Sequence, residues 1–347
     1  MFAEQSFPFH PHQISSTSSL SALYISIFKM GFLYSQLFIT PMYPTASCAG
    51  QTIIVTGSNV GLGKEAVRHF ARLGASKIIL AVRNSEAGEE AKKEIEISTK
   101  CGTGVLEVWA LDLLSYESCR LFADRASKLP RLDVLLENAG VAGYKWSLAG
   151  GHERMVAVNV ISTFYLAMLM LPKLKSSAKE FSIKPRLAIV SSDVHARTKF
   201  PEWKKPNVFD ALDDESEARM GERYPTSKLL EVLVIRQIAP KLEGSGVILN
   251  MLNPGLCQSE LAREGGLFLV FMKFLLARTT EVGSRTLVAA AMAGPESHGK
   301  YMTDAQIDED ALSDFVKSAD GKEASEKVWK ELSEILESIQ PGVTRNL

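Results

Sequence analysis

The sequence predicts an α/β fold: one doubly wound parallel sheet in a three-layer αβα arrangement, held in a single domain. Three observations carry that expectation. Short aliphatic runs alternate with longer runs of helical periodicity from residue 51 to about residue 302. A glycine turn, Thr56-Gly57-Ser58-Asn59-Val60-Gly61-Leu62-Gly63, joins the first such strand to the first such helix. No linker-like stretch breaks the alternation, and no repeat of solenoid period occurs. A chain of 347 residues, 46% of them apolar, suffices for one large core with extensions.

The elements follow in order. Residues 52–55 are β-branched and end at Thr56-Gly57, as a buried parallel strand does. Residues 64–73 place Ala66, Val67, Phe70 and Leu73 at helical spacing, and Gly74 stops the helix. Strand, glycine turn and helix are what a dinucleotide pyrophosphate needs. Gly57 permits the tight turn, Gly61 lets backbone approach the phosphates, and Gly63 lets helix pack on strand. A second strand, residues 77–82, ends in Val82 where an acidic residue would bind both ribose hydroxyls of NAD. Arg83 and Asn84 follow instead, and a guanidinium there suits a 2′-phosphate, so NADP(H) is the expected cofactor. Strands at 105–111 and 132–136 lead to Asp112 and to Asn138-Ala139-Gly140.

Asn159 lies on an apolar helix face beginning near residue 155, and the strand 187–190 runs into Ser191-Ser192. Tyr224-Pro225-Thr226-Ser227-Lys228 puts a phenol and an ammonium one helical turn apart, with Pro225 expected in the first turn of its helix. A free phenol has a pKa near ~10, and a nearby ammonium lowers it toward useful proton exchange. A strand at 247–252 leads to Asn253-Pro254-Gly255-Leu256-Cys257-Gln258-Ser259. Two more helices are expected: residues 280–293, capped by Thr279 or Thr280, and residues 322–339, with Val328, Leu332, Ile335 and Leu336 on one face.

The spacing TGxxxGxG and the Tyr-x-x-x-Lys pair together resemble the short-chain dehydrogenase/reductase family over about residues 50–305. The resemblance implies a Rossmann fold and hydride transfer between a nicotinamide and a carbonyl or carbinol carbon. By it Tyr224 passes the proton, Lys228 tunes the phenol and binds the nicotinamide ribose, and Asn159 supports a water leading to the lysine. Ser192 positions the substrate oxygen, with Ser191 as the alternative. The loop residues Gly57, Ser58, Asn59, Gly61, Leu62 and Gly63, then Arg83, Asn84, Asp112, Asn138, Ala139 and Gly140, line the cofactor. Ser259 takes the place of the family's carboxamide-binding Thr. Cys257 stands where Val is common, either near the nicotinamide or as an inert buried thiol. The 280–293 helix resembles one that pairs subunits, which implies a homodimer.

Ser192 and Tyr224 stand further apart than in many members, across a polar, irregular stretch. That stretch and Ser191-Ser192-Asp193-Val194-His195 resemble the retinol-dehydrogenase-like branch, including its fungal members. His195 either faces substrate or lies on a surface loop. The branch implies an apolar ketone, aldehyde or alcohol as substrate and a place in fungal secondary metabolism. The competing reading is a catalytically silent NADP(H)-binding regulator, which would be expected to lose the Tyr-Lys pair.

The flanks are less informative. Residues 1–49 form a leading extension, 50–305 the catalytic domain with a substrate lid at about 255–280, and 306–347 a helical extension. Residues 19–40 are apolar with one charge, Lys29; their length is that of a membrane span, but Lys29 near the centre argues against a crossing. A docked helix and peripheral membrane contact both remain open, and Met30 is a second candidate start. Residues 267–276 suit a pocket wall, a buried helix or shallow membrane contact. A net charge of −1 excludes a nucleic-acid-binding face. Four dispersed cysteines, Cys48, Cys101, Cys119 and Cys257, fit no metal spacing and point to a reducing compartment, the cytoplasm.

Overall fold

The structure is a computed structural model that describes residues 31–258 and 276–347. It divides into two units, Met1–Ile39 and Thr40–Leu347. In the first, residues 31–38 are helical, with the Tyr34 and Phe38 rings 5.5 Å apart one turn from each other. The rest of the apolar leading stretch, the proposed lid tip and Ser259 lie outside the described residues.

The second unit opens with residues 40–48. Arg72 Nη2 donates to Pro44 O at 2.6 Å, Arg285 Nη1 to Pro41 O at 3.0 Å, and Cys48 is fully buried. The strands that follow are β1 (Thr52–Thr56), β2 (Lys77–Val82), β3 (Leu106–Ala110) and β4 (Val134–Glu137). A small hairpin, β5 (Leu148–Ala149) and β6 (His152–Glu153), intervenes before β7 (Arg186–Val190), β8 (Ile248–Asn253), β9 (Tyr301–Thr303) and β10 (Gln306–Ile307). The main sheet has eight strands in the order β10-β9-β8-β7-β4-β1-β2-β3. Every pairing is parallel except β9 with β10. The chain starts in the middle at β1, runs outward to β3, then returns to β4 and runs the other way, which is double winding.

Helices cover both faces. On one side lie α1 (Gly61–Arg72), α2 (Ser85–Thr99) and, late in the chain, Thr280–Met292. On the other are α3 (Tyr116–Ser127), α4 (Arg154–Phe181), and α6 (Met220–Ile238), which follows the short α5 (Val208–Leu212). The Thr280–Met292 helix is α7; α8 (Asp314–Lys317) and α9 (Ala319–Ile339) follow it. Alternation along β1 shows why there are two cores: Ile53 and Val55 pack with α1 and α7, whereas Ile54 packs with α3, α4 and α6. The helix α4 is long and apolar enough to cross a membrane, but 89% of its most apolar window is buried in this fold, so it is a core helix.

Two local expectations change. Pro225 sits in the second turn of α6, not the first, because the helix begins at Met220. Its missing amide removes only the bond to the Gly221 carbonyl, near a helix end where the loss is small. The stretch between Ser192 and Tyr224, read as irregular, is built: Phe200, Val208, Phe209 and Leu212 are buried in it. Its support comes from far away. Glu331 Oε2, on α9, accepts from Val208 N at 2.7 Å and Phe209 N at 3.2 Å, so a side chain of α9 caps α5. Lys327 Nζ donates to Trp203 O at 3.2 Å. The same α9 lies along α6, where Ser325 Oγ donates to Leu233 O at 2.8 Å.

Candidate active site

The glycine turn follows β1 at the carboxyl edge of the sheet, where the strand order reverses. The N-cap of α1 is Val60, whose side chain caps nothing, so the first amides of the helix face outward. Gly61 has φ +62°, and among the described residues a Cβ there would meet nothing within 4 Å. At Gly63 a Cβ would come 2.6 Å from Asn138 Nδ2 and 2.7 Å from Gly57 O, so helix and strand ends meet there without room for a side chain. These features fit a dinucleotide pyrophosphate. Ser58 does not offer its side chain: Oγ donates to Val55 O at 2.8 Å and is buried. Asn59 and Leu62 are partly buried on the same loop.

Asn138 is a brace. Its Nδ2 donates to Thr56 O at 2.9 Å, while Asn138 N and Ala139 N both donate to Thr56 Oγ1, at 3.0 and 2.9 Å. Asn84 caps α2 by accepting from Ala87 N at 3.1 Å. Arg83 is exposed at the end of β2 and, among the described residues, makes no ion pair or hydrogen bond. Its guanidinium is therefore available for a phosphate. Asp112 closes its own turn by accepting from Leu114 N at 3.0 Å.

The reaction residues converge from α4, α6 and the end of β7. Asn159 lies in a π-helical segment, Ala157–Ser162, within α4. It is fully buried; Oδ1 accepts from Val141 N at 2.8 Å, and Nδ2 donates to Val141 O and Ser227 Oγ, both at 2.9 Å. Asn159 thus ties the Gly140-Val141 turn to α6. Gly140 lies close against them: a Cβ there would stand 3.2 Å from Asn159 Oδ1 and 3.9 Å from Lys228 Nζ. Ser191 turns away from the site and donates to Lys228 O at 3.1 Å. Ser192 Oγ accepts from Val194 N at 3.3 Å and donates to Asp193 Oδ1 at 3.2 Å, and this hydroxyl, beside the phenol, favours the Tyr224 phenolate.

That help is outweighed. Burial raises the Tyr224 pKa well above its ordinary value, and the Glu231 and Asp193 charges raise it further. The sequence reading expects Lys228 to lower the phenol; in this chain the net effect runs upward. Lys228 Nζ, 5.9 Å from the Tyr224 ring centre, donates to Val190 O at 2.8 Å and Glu231 Oε1 at 2.7 Å.

Sequence reasoning gave no role to two acids: it noted Glu137 without interpreting it and passed over Glu231. Glu137, at the end of β4, is 4% exposed with neither oxygen hydrogen-bonded among the described residues, and burial and then Glu231 raise its pKa well above the carboxylate range. Glu231 is 1% exposed, and burial pushes it up to about 7 against the opposing pull of Lys228. A charge inside the apolar run Leu229-Leu230-Glu231-Val232-Leu233 was the available signal.

His195 neither faces substrate nor lies on the surface. It is 1% exposed; Nδ1 bonds Ser192 O at 2.7 Å, and Ser313 N donates to Nε2 at 3.1 Å. It is a neutral strut between the serine turn and the start of α8. Cys257 is buried, with Sγ donating to Pro254 O at 3.4 Å.

Comparisons with known proteins address the family and the fold. The profile of the short chain dehydrogenase family matches residues 51–192. A short chain dehydrogenase/reductase, dmxR8, of Cryptosporiopsis sp. is 50% identical over 327 residues, covering 91% of this chain and 100% of that protein. The short-chain dehydrogenase anuD of Penicillium roqueforti is 47% identical over 94% of this chain and 86% of its own. Among solved structures, NADPH-bound carbonyl reductase from chicken fatty liver matches with a TM-score of 0.58 at 18% identity, over 75% of this chain and 99% of that one. Pseudomonas aeruginosa RhlG, in its NADP active-site complex, matches with a TM-score of 0.57 at 21% identity, over 76% and 97%. At such identities the structures speak for the fold alone. On the fungal relatives and the site together, the chain belongs to the short-chain dehydrogenase/reductase family.

Proposed function

We propose that this oxidoreductase is NADP(H)-dependent and interconverts an apolar ketone or aldehyde with its alcohol. The observation that carries the chemistry is the placement of Tyr224 and Lys228 on one face of α6, with Ser192 at the phenol and the glycine turn opening onto the same edge of the sheet. The nicotinamide, when bound, supplies or accepts the hydride. Tyr224 gives its hydroxyl proton to the carbonyl oxygen in reduction and takes the carbinol proton in oxidation. Ser192 orients that oxygen by hydrogen bonding, and Asn159 fixes the turn against which the site closes. Arg83 supports the choice of NADP(H), because an exposed guanidinium after β2 binds a 2′-phosphate that NAD lacks. The fungal relatives support a place in secondary metabolism by association only.

Equilibrium binding of NADPH and NADH, repeated on Arg83→Asp, tests the cofactor. The wild type is expected to prefer NADPH and the variant to lose or reverse that preference. Equal binding of both by the wild type would overturn the assignment.

A further inference from the structure

Tyr224, Lys228 and Glu231 stand at i, i+4 and i+7 of α6 and form one stripe down a single face. Lys228 and Glu231 side chains are 5% and 2% exposed and meet at 2.7 Å. An acid in that position costs stability: it is out of water, and Glu231 Oε2 has no hydrogen-bond partner among the described residues. It is not needed to hold the lysine in place, because Val190 O already anchors Nζ from the end of β7. What the acid adds is charge. It cancels the ammonium next to the phenol and extends a negative field along the helix toward it.

We propose that Glu231 is a positioning residue that neutralises Lys228 and so keeps Tyr224 a protonated acid, extending carbonyl reduction to higher pH and moving alcohol oxidation to more alkaline pH. The inference rests on the reaction proposed above and assigns its pH range. In reduction the Tyr224 O–H bond breaks, its proton goes to the carbonyl oxygen as hydride reaches the carbon, and phenolate remains. In oxidation the phenolate takes the carbinol proton as hydride leaves. The overall equilibrium belongs to the substrates; Glu231 sets the pH at which each form of Tyr224 is present.

Apart from the Ser192 hydroxyl, which favours the phenolate, the surroundings agree in sign. On α6 itself Glu231 faces Lys228 and Tyr224. From β4 comes Glu137, from the end of β7 Ser191, and from β9 Tyr301, whose buried hydroxyl has no hydrogen-bond partner among the described residues. From the turn after Ser192 come Asp193, which acts on both Tyr224 and Tyr301, and His195, whose ring lies 5.2 Å from that of Tyr301. Lys228 is the one cation named among these groups, so removing the Glu231 charge leaves its field on the phenol much less opposed.

The test needs no cofactor. The ultraviolet absorbance of phenolate is titrated with pH in the wild type, Glu231→Gln and Glu231→Asp, each corrected by the same protein carrying Tyr224→Phe. Glu231→Gln is expected to lower the Tyr224 midpoint by about one pH unit, a tenfold change in proton affinity. Glu231→Asp, which keeps the charge, is expected to stay with the wild type. If Glu231→Gln does not fold, Glu231→Met fills a similar volume without a charge, and the same shift is expected. A Gln or Met variant titrating with the wild type, or an Asp variant moving as far as Gln, would overturn the proposal. In the NADP-loaded enzyme the rising limb of alcohol oxidation should move to lower pH by the same amount in kcat. A wild type with no NADPH-dependent carbonyl reduction would sink the functional reading while leaving the phenol titration to stand or fall by itself.

Discussion

Glu137→Gln isolates the energetics of the unpaired acid at the end of β4. In the folded chain it is 4% exposed, with no hydrogen-bond partner for either carboxyl oxygen among the described residues. Burial, and then the Glu231 charge, raise its pKa well above the ordinary value. The folded protein therefore keeps a proton that the unfolded chain gives up near pH ~4.3. The stability tied to that proton is complete below the unfolded pKa and is lost as pH rises through the folded one. Between those two values each pH unit removes about 1.4 kcal/mol. From about pH 5 to about pH 8 the ceiling is thus ~4 kcal/mol, or ~6 °C of melting temperature at roughly 1.4 °C per kcal/mol for a chain of this size. Gln cannot titrate, so its melting curve should lack this fall. Thermal melting of cofactor-free wild type and Glu137→Gln across that range gives the difference directly, and groups common to both proteins largely cancel. The variant should gain on the wild type with rising pH until a plateau marks the folded pKa of Glu137. A difference that stays flat from about pH 5 to about pH 8 would refute the reasoning, since the acid would then be ionised or solvated in the folded state.

Tyr224→Phe should lower turnover by about 10²-fold or more while NADPH binding stays largely intact, as measured by single-turnover kinetics and a binding titration. Gly63→Ala drives a Cβ to 2.6 Å from Asn138 Nδ2 and should cost ~1–3 kcal/mol in a denaturant titration. Gly61→Ala meets no atom within 4 Å, so its stability cost should be the backbone strain of φ +62°, about 1 kcal/mol, while dinucleotide binding weakens. His195, whose pKa burial lowers, should stabilise the fold above the unfolded histidine value near ~6.5 and lose that contribution as pH falls below it. His195→Gln should flatten the acid limb of a melting-temperature profile.

The sheet was legible because parallel strands buried on both faces read as unbroken apolar runs. Residues 77–82 give β2 without error, and the run ending at Thr56-Gly57 gives β1. The glycine turn was legible because Gly61 and Gly63 answer local demands, an open helix start and a close crossing. Long-range partners were not. Nothing near Glu137 in the chain says that Glu231 will lie beside it, since β4 and α6 are brought together only by the winding of the sheet. The loop before Tyr224 looked irregular for the same reason: the acid that caps α5 is Glu331, on α9. His195 was misread because its second partner, Ser313 N, is equally remote. Pro225 misplaced the helix start because its local signal, no amide, is satisfied almost as well one turn later.

The docking of α9 on α6 has a consequence for how the protein is made. Residues from Ala319 onward are synthesised after every residue of the candidate site, yet they hold the back of the helix carrying Tyr224 and Lys228 and cap the loop that leads to it. A nascent chain can pair β1, β2 and β4 early and gain its glycine turn while still on the ribosome. The proton-transfer half must wait for the later segment, so dinucleotide binding should precede catalytic competence during synthesis.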